Sequence, residues 1–304
     1  MKEIEKNHSH NHHNHESYGG LNFKFIVTIF LNLIITIFEI VGGFLSGSLM
    51  LISDSLHNFA DTFSLVLSFF AIKISNKEKN QRKTFGYKRA EILVSLFNSS
   101  FLLITSFFLI FESIKRFFKP EEINSNILLI VSIIGFFGNL ISVFLLHKES
   151  TKSLNIKSSY LHLFSDTLSS VAVIIGAVFI KLFNIYFIDP ILTIFISLYI
   201  LFQTFSILKK SIDILMQSSV DLDYESVKND VEKIKGVKNI HHVHTWMTNE
   251  TSYYFEAHVE LEDMMLSQTC KILEEIEKLL KEKYSITHIT IQFETNKCEN
   301  KSMF

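Results

Sequence analysis

The chain has 304 residues, 48% of them hydrophobic, with a mean hydropathy of +0.27 and only two prolines. That is too apolar for an ordinary soluble domain of this length. The formal net charge of −2 excludes nothing, because opposite charges are segregated along the chain.

Thirty phenylalanines fit lipid-facing helices but identify no ligand. The two cysteines, Cys270 and Cys298, fall in the hydrophilic C-terminal part and point to a reducing compartment rather than a disulfide framework. Residues 1–20 are polar and interleave His8, His10, His12, His13 and His15 with Asn and Ser. No core can be built from such a segment, so it reads as a disordered tail that gathers metal ions weakly. The competing reading is an expression tag, although tags are normally runs of consecutive His. The start of the chain lacks the shape of a cleavable signal peptide.

Six apolar stretches follow, over residues 22–41, 49–72, 92–114, 127–147, 160–182 and 189–209. Each is near the ~20 residues needed to cross a bilayer as a helix. A basic loop with Lys73, Lys77, Lys79, Arg82, Lys83, Lys88 and Arg89 joins the second and third. Positive loops stay in the cytoplasm, so this loop is expected inside and, by alternation, both chain termini as well.

Polar residues inside these spans are few. Asn32, Asn98 and Asn139 read as interhelical hydrogen-bond donors. Glu39 reaches either water or a helix partner. Asp54 stands at the outer mouth or caps the second helix. Asp189 before Pro190 reads as the cap of its own helix, and His147 as an interface residue. One pattern occurs twice: His57-Asn-Phe-Ala-Asp61 and His162-Leu-Phe-Ser-Asp166. Residues i and i+4 share a helix face, with Cβ atoms about 6 Å apart. A lone His on an apolar face is usually a satisfied core group, but two His and two Asp repeating in register suit a tetrahedral site for a zinc-type cation. An Asp at a helix centre in lipid costs roughly 2.5–3.5 kcal/mol even on the lenient scale, so such groups mark an ion pathway.

From about Gln217 the composition becomes that of a soluble domain. The pattern predicts a helix over Leu222–Ile234 and strands over Ile240–Met247 and Tyr253–Leu261, with a turn at Thr248–Glu250. An amphipathic helix over Ser267–Lys283 and a last strand over Ile286–Phe293 complete an α-β-β-α-β order, a small α+β sandwich with helices on one face of a mixed sheet. The expected divisions are a tail 1–20, a six-helix transmembrane domain 21–216, an α+β metal-binding and dimerisation domain 217–294 and a polar tail 295–304. The domain concentrates His241, His242, His244, His258 and His288, with Glu294 and Cys298 nearby. His241 and His244 are an odd number of residues apart, so in a regular strand they point to opposite faces and cannot share a site.

Taken together these residues resemble the cation diffusion facilitator family, in its zinc-transporter branch. The likeness runs through Glu39-x-x-Gly42-Gly43, Ser46-Gly47-Ser48-Leu49, Ser53-Asp54-Ser55-Leu56-His57 leading to Asp61, and Phe85-Gly86-Tyr87-x-Arg89-x-Glu91. It continues in Asn139, His162 to Asp166, Asp189-Pro190, His241-x-x-His244-x-Trp246, Ala257-His258-Val259 and Thr290-Ile291-Gln292-x-Glu294. The resemblance implies six transmembrane helices, a copper-chaperone-like cytosolic domain, a homodimer and export of Zn²⁺ in exchange for protons. It implies His57, Asp61, His162 and Asp166 as the transport site, and His241, His258, His288 and Glu294 as the positions matching ligands of a cytosolic regulatory zinc site. Gln292 stands where some bacterial members have a ligand His, and the loop between the second and third helices lacks His and Asp, so an extra site there is not expected.

The ordinary pKa of His is near 6.5 and that of Asp near 3.9, and metal binding requires the deprotonated forms. Metal and protons therefore compete for one set of groups, which is the basis of antiport through alternating access. Two imidazoles with two carboxylates favour Zn²⁺, with Cd²⁺ or Co²⁺ next. The alternatives are iron or manganese efflux by the same fold, or a membrane-embedded metal sensor without flux. An enzyme is not expected, since four protein ligands leave no open position. The lipid bilayer is a further partner beside the metal ion, the protons and a second copy of the chain, no nucleic acid is expected, and the layout fits a bacterial inner membrane.

Overall fold

The computed structural model describes residues 23–147, 154–295 and 302–303. The His-rich segment 1–20, Cys298 and most of the expected C-terminal tail lie outside the described residues, as does the side chain of His162. Six long helices come first: α1 (Phe23–Ser46), α2 (Leu49–Ser75), α3 (Arg89–Phe118), α4 (Ser125–His147), α5 (Leu154–Phe183) and α6 (Ile188–Leu215). All six are long and apolar enough to cross a membrane. Several run past the expected apolar stretches, because backbone hydrogen bonds continue a helix where the apolar run has ended. A small α+β domain follows: α7 (Tyr224–Glu232), β1 (Val237–Asn249), β2 (Ser252–Leu261), α8 (Leu266–Tyr284) and β3 (His288–Glu294). The expected α-β-β-α-β order is observed.

The chain divides into two units, the first taking the residues up to Thr62 with Leu109–Ile196, the second Phe63–Phe108 with Ser197 onward. In the first unit the usual partition of a soluble protein is reversed. Asn32, Thr36, Glu39, Ser55, Asn58, Thr62, Asn139, Ser142 and Asp166 are buried, while Phe30, Phe38, Phe44, Phe144 and Phe179 are exposed. Such a surface is stable only against hydrocarbon, so the chain is a multi-pass membrane protein. Without a hydrophobic force between helices, close approach and hydrogen bonds hold them together. α1 and α4 meet over glycines: a Cβ on Gly135 would fall 2.1 Å from Glu39 Oε1, and one on Gly138 would fall 2.2 Å from Ile35 Cδ1. Gly135→Ala should therefore destabilise the folded protein by about 1–3 kcal/mol, the usual cost of overpacking. Thermal unfolding in detergent measures this, and an unchanged melting temperature would contradict the packing.

In the second unit, β1 pairs antiparallel with β2, and β2 pairs parallel with β3, giving the order β1-β2-β3. Both α7 and α8 cover one face, where Val227, Val231, Ile240, Val243, Phe255, Ala257, Ile272, Ile276 and Leu280 form the core. α7 starts at Tyr224, two residues later than expected, because Asp223 caps it by accepting from Ser226 N at 3.2 Å. The hairpin closes at the Asn249–Ser252 pair, so Glu250 and Thr251 form its turn, one residue beyond the centre expected. At β1's outer edge, Val243 N donates to Met303 O at 2.8 Å and His242 N to Ser302 O at 3.3 Å. The end of the chain thus satisfies backbone groups that an open edge would leave bare.

α7 and α8 are locked at the surface by Asp230, which accepts from Lys283, from Tyr284 Oη at 2.7 Å and from Lys233 at 3.1 Å. The hydrogen bond from Lys283, followed by those from Tyr284 and Lys233, holds the Asp230 carboxyl well below the usual carboxylate range. A depressed carboxylate stabilises the folded state fully above its ordinary value of 3.8 and loses that contribution as pH falls through the lowered value. Asp230→Asn should lower the domain's melting temperature at pH 7 and flatten its fall below pH 4. Parallel melting curves of both proteins on acidification would contradict this.

Candidate metal centres

The first centre depends on how α2 begins. Ser48 caps the helix, accepting from Leu51 N at 3.2 Å and donating to Asp189. Asp189 in turn accepts from Leu49 N at 2.9 Å and Met50 N at 3.2 Å. The carboxylate expected to cap its own helix, α6, instead caps α2. Pro190 in the first turn of α6 offers no N–H, whereas the start of α2 presents several free ones with a positive end dipole. This fixes the start of the helix that carries the first His-x-x-x-Asp pair.

Two turns on, His57 Nε2 lies 3.3 Å from Asp61 Oδ2 and 4.0 Å from Asp166 Oδ1 of α5. Asp166 is 4% exposed, while His57 and Asp61 are about one-fifth exposed, so the group opens toward a partly accessible space. His162 stands one turn before Asp166 on α5. Three of the four residues singled out by the repeat thus come together, from two helices.

The supports around them were only partly foreseen. Asp54 neither stands at a mouth nor caps a helix: it is buried within α2 and accepts from Ser169 Oγ of α5 at 2.7 Å. With Asp54 facing Ser169 and His57 facing Asp166, α2 and α5 run antiparallel. Glu39 takes a helix partner, Asn58 Nδ2, at 3.1 Å. Asn32 donates to Thr62 Oγ1 and Asn139 to Ser170 Oγ, both at 3.3 Å, so both tie helices together as expected. Ser170 donates to the backbone of Asp166 at 3.0 Å, so α4 braces the turn that carries that carboxylate. Asn58, Ser169 and Ser170 carry no signal of their own in a single sequence; only their spacing from His57 and Asp166 placed them near the pairs.

The second group is His241, His258 and Glu294, whose ligand-type atoms lie within 4.8 Å of one another. Glu294 Oε1 is 2.9 Å from His258 Nδ1, and Oε2 is 3.6 Å from His241 Nε2. Asn239 sets the His241 tautomer. Its Nδ2 donates to Glu232 Oε1 at 3.1 Å, which turns Oδ1 toward His241 Nδ1 at 3.0 Å. That Oδ1 only accepts, so Nδ1 carries a proton, and the ring is held with Nε2 toward the buried Glu294 carboxylate. Two imidazole nitrogens and a carboxylate at this spacing are a ligand set of the kind that holds a metal cation, and a hydrogen bond behind the ring is the usual way a ligating His is oriented. Gln292 Nε2 donates to Glu294 Oε1 at 2.8 Å and steadies the carboxylate.

Two expectations about this domain are corrected. His288 does not join the group. It pairs with Tyr254 at the opposite end of β3, six residues or about 20 Å from Glu294, and its ring packs on Tyr254 at 4.9 Å. Nor do His241 and His244 face opposite sides. His241 pairs with His258 and His244 with Glu256, so three residues of β1 span two of β2. The extra residue is His242, with φ +51°, and this bulge brings His241 and His244 to the same, helix-free face.

Membrane-length helices with His and Asp at a polar interior, followed by a small sandwich with its own His/Glu cluster, define a class: multi-pass metal-cation transport proteins. Residues 25–216 match the cation efflux transmembrane domain, and residues 220–296 match the cytoplasmic domain of cation efflux proteins. The chain belongs to the cation efflux family, that of the cation diffusion facilitators. It is 36% identical over 288 residues to a cadmium, cobalt and zinc/H(+)-K(+) antiporter of Bacillus velezensis, covering 93% of this chain and 92% of that one. It is 34% identical over 288 residues to the metal cation efflux system protein CzcD of Cupriavidus metallidurans, covering 94% and 91%. It is 34% identical over 263 residues to the zinc transporter ZitB of Escherichia coli, covering 86% and 83%.

Replacing Asp189 by Ala would strip the α2 start of its acceptor and leave two buried N–H groups unpaired. The expected cost is about 1–3 kcal/mol per group left unsatisfied, read as a lower melting temperature. A variant as stable as the parent would remove Asp189 from this role.

Proposed function

We propose that this chain is a proton-coupled antiporter that exports Zn²⁺ from the cytoplasm, with Cd²⁺ and Co²⁺ as further substrates, through His57, Asp61, His162 and Asp166. The observation that carries this reading is the approach of His57 Nε2 to carboxylates of both α2 and α5 inside a polar interior. The names of the relatives support the substrate class and the exchange for protons. Imidazole and carboxylate bind Zn²⁺ only when deprotonated, so loading from the cytoplasm releases protons and protonation from the far side expels the ion. Alternating exposure of the site then couples the two flows. Buried polar side chains of the first unit line the site, and Asn139 with Ser170 holds Asp166 in place.

In this reading the chain sits in a bacterial inner membrane with both termini in the cytoplasm. It works as a homodimer, and the match of residues 220–296 to the cytoplasmic domain of cation efflux proteins favours a cytosolic sandwich. His241, His258 and Glu294 there bind a regulatory Zn²⁺, with Asn239 orienting His241.

Zn²⁺ flux into inverted vesicles against a pH gradient tests the proposal. Asp61→Ala and Asp166→Ala should each lower the rate by about tenfold or more, the scale on which loss of metal-site residues acts. Parental flux in either variant would sink the site. Binding without flux in the parent would favour a sensor, and flux of only iron or manganese would replace the substrate.

A further inference from the structure

Beyond this reading, we propose that His242 and His244 form a second divalent-cation site on the same domain, separate from the His241–His258–Glu294 group. The two Nε2 atoms stand 3.3 Å apart, both rings exposed and their centroids 4.7 Å apart at 85°. Two nitrogens bound to one tetrahedral ion at about 2.0–2.1 Å lie about 3.3–3.4 Å apart, so this separation is the edge of such a coordination shell.

Backbone conformation is the second observation. His242 holds φ +51°, the left-handed region, which is uncommon outside Gly although Asn, Asp and His enter it more readily than other side chains. The surrounding chain enforces it: His242 N and Val243 N donate to Ser302 O and Met303 O, while Val243 is buried in the core. Without the bulge His242 and His244 would still share a face, but their rings would be set two strand residues apart, about 6–7 Å. A hydrogen bond between two exposed imidazoles does not account for this arrangement, since either ring could pair with water instead.

His242 and His244 supply two nitrogen ligands, and water completes the coordination shell. The His258 ring lies 4.7 Å from that of His242, but its Nδ1 is committed to Glu294. The two groups are therefore neighbours with separate ligands. Two imidazoles select the zinc class of ions, including Co²⁺ and Ni²⁺, over Mg²⁺ or Ca²⁺. An exposed site of this kind binds loosely and responds to the free metal level.

The test counts Zn²⁺ bound to the full-length protein in detergent by equilibrium dialysis and metal analysis. Asn adopts the left-handed backbone readily, so a His242→Asn/His244→Gln double variant keeps the bulge while removing both nitrogens. It should lose one weakly held ion per chain, whereas His241→Ala should lose a different, tighter one. His244→Gln alone leaves the bulge residue untouched and should weaken the same loose site about tenfold or more. Unchanged stoichiometry and affinities in the double variant would overturn the proposal. So would loss of the same single ion in the double variant and in His241→Ala. Asp61→Ala, which bears only on the transport site, should leave both losses as they are.

Discussion

Polar groups held inside an apolar shell must be satisfied by one another, and the first unit is built on that requirement. Glu39 meets Asn58, Asn32 meets Thr62, Asp54 meets Ser169, and Asn139 meets Ser170. Each pair joins two helices, and each would be costly to break where hydrocarbon offers no replacement for water. These bonds do what burial of apolar surface does in a soluble core: they fix which faces of the helices meet. His57, Asp61 and Asp166 approach one another within that polar lining.

The α+β domain works by the opposite physics and reaches a related end. Apolar burial on the helix side of the sheet, around Phe255 and Ile276, fixes strand register. Register then decides which side chains meet on the helix-free face. His241 lies opposite His258, and Glu260 opposite Glu294, so the cluster follows from the pairing of β1, β2 and β3. The bulge at His242 is the one irregularity that matters, because it converts an odd spacing along β1 into a shared face. Asn239, held by Glu232, supplies the orientation that the strand alone would leave free.

Much of this was legible beforehand for stated reasons. Hydrophobic runs near the length of a bilayer crossing marked six helices, since no soluble core tolerates so many. Period-two and period-3.6 patterns marked the α-β-β-α-β order. The repeat of His and Asp at i, i+4 marked α2 and α5, because only a functional constraint keeps such costly groups in lipid. Where the reading failed, it failed on partners across space. Asp189 was assigned to its own helix because capping was judged from neighbours in sequence, whereas the free N–H groups it satisfies are 140 residues away. The family resemblance groups His288 with Glu294, yet the length of β3 holds them apart.

By itself the amino-acid order determined the number and type of elements, the apolar character of the spans and the identity of the ligand-type residues, since these depend on local spacing and composition. Only tertiary structure decided which of those residues meet. The approach of α2 to α5, the cap that Asp189 gives to α2, and the bulge that brings His241 and His244 to one face all rest on contacts between distant segments. Such contacts are chosen by the total packing and hydrogen bonding of the fold, which no local window contains.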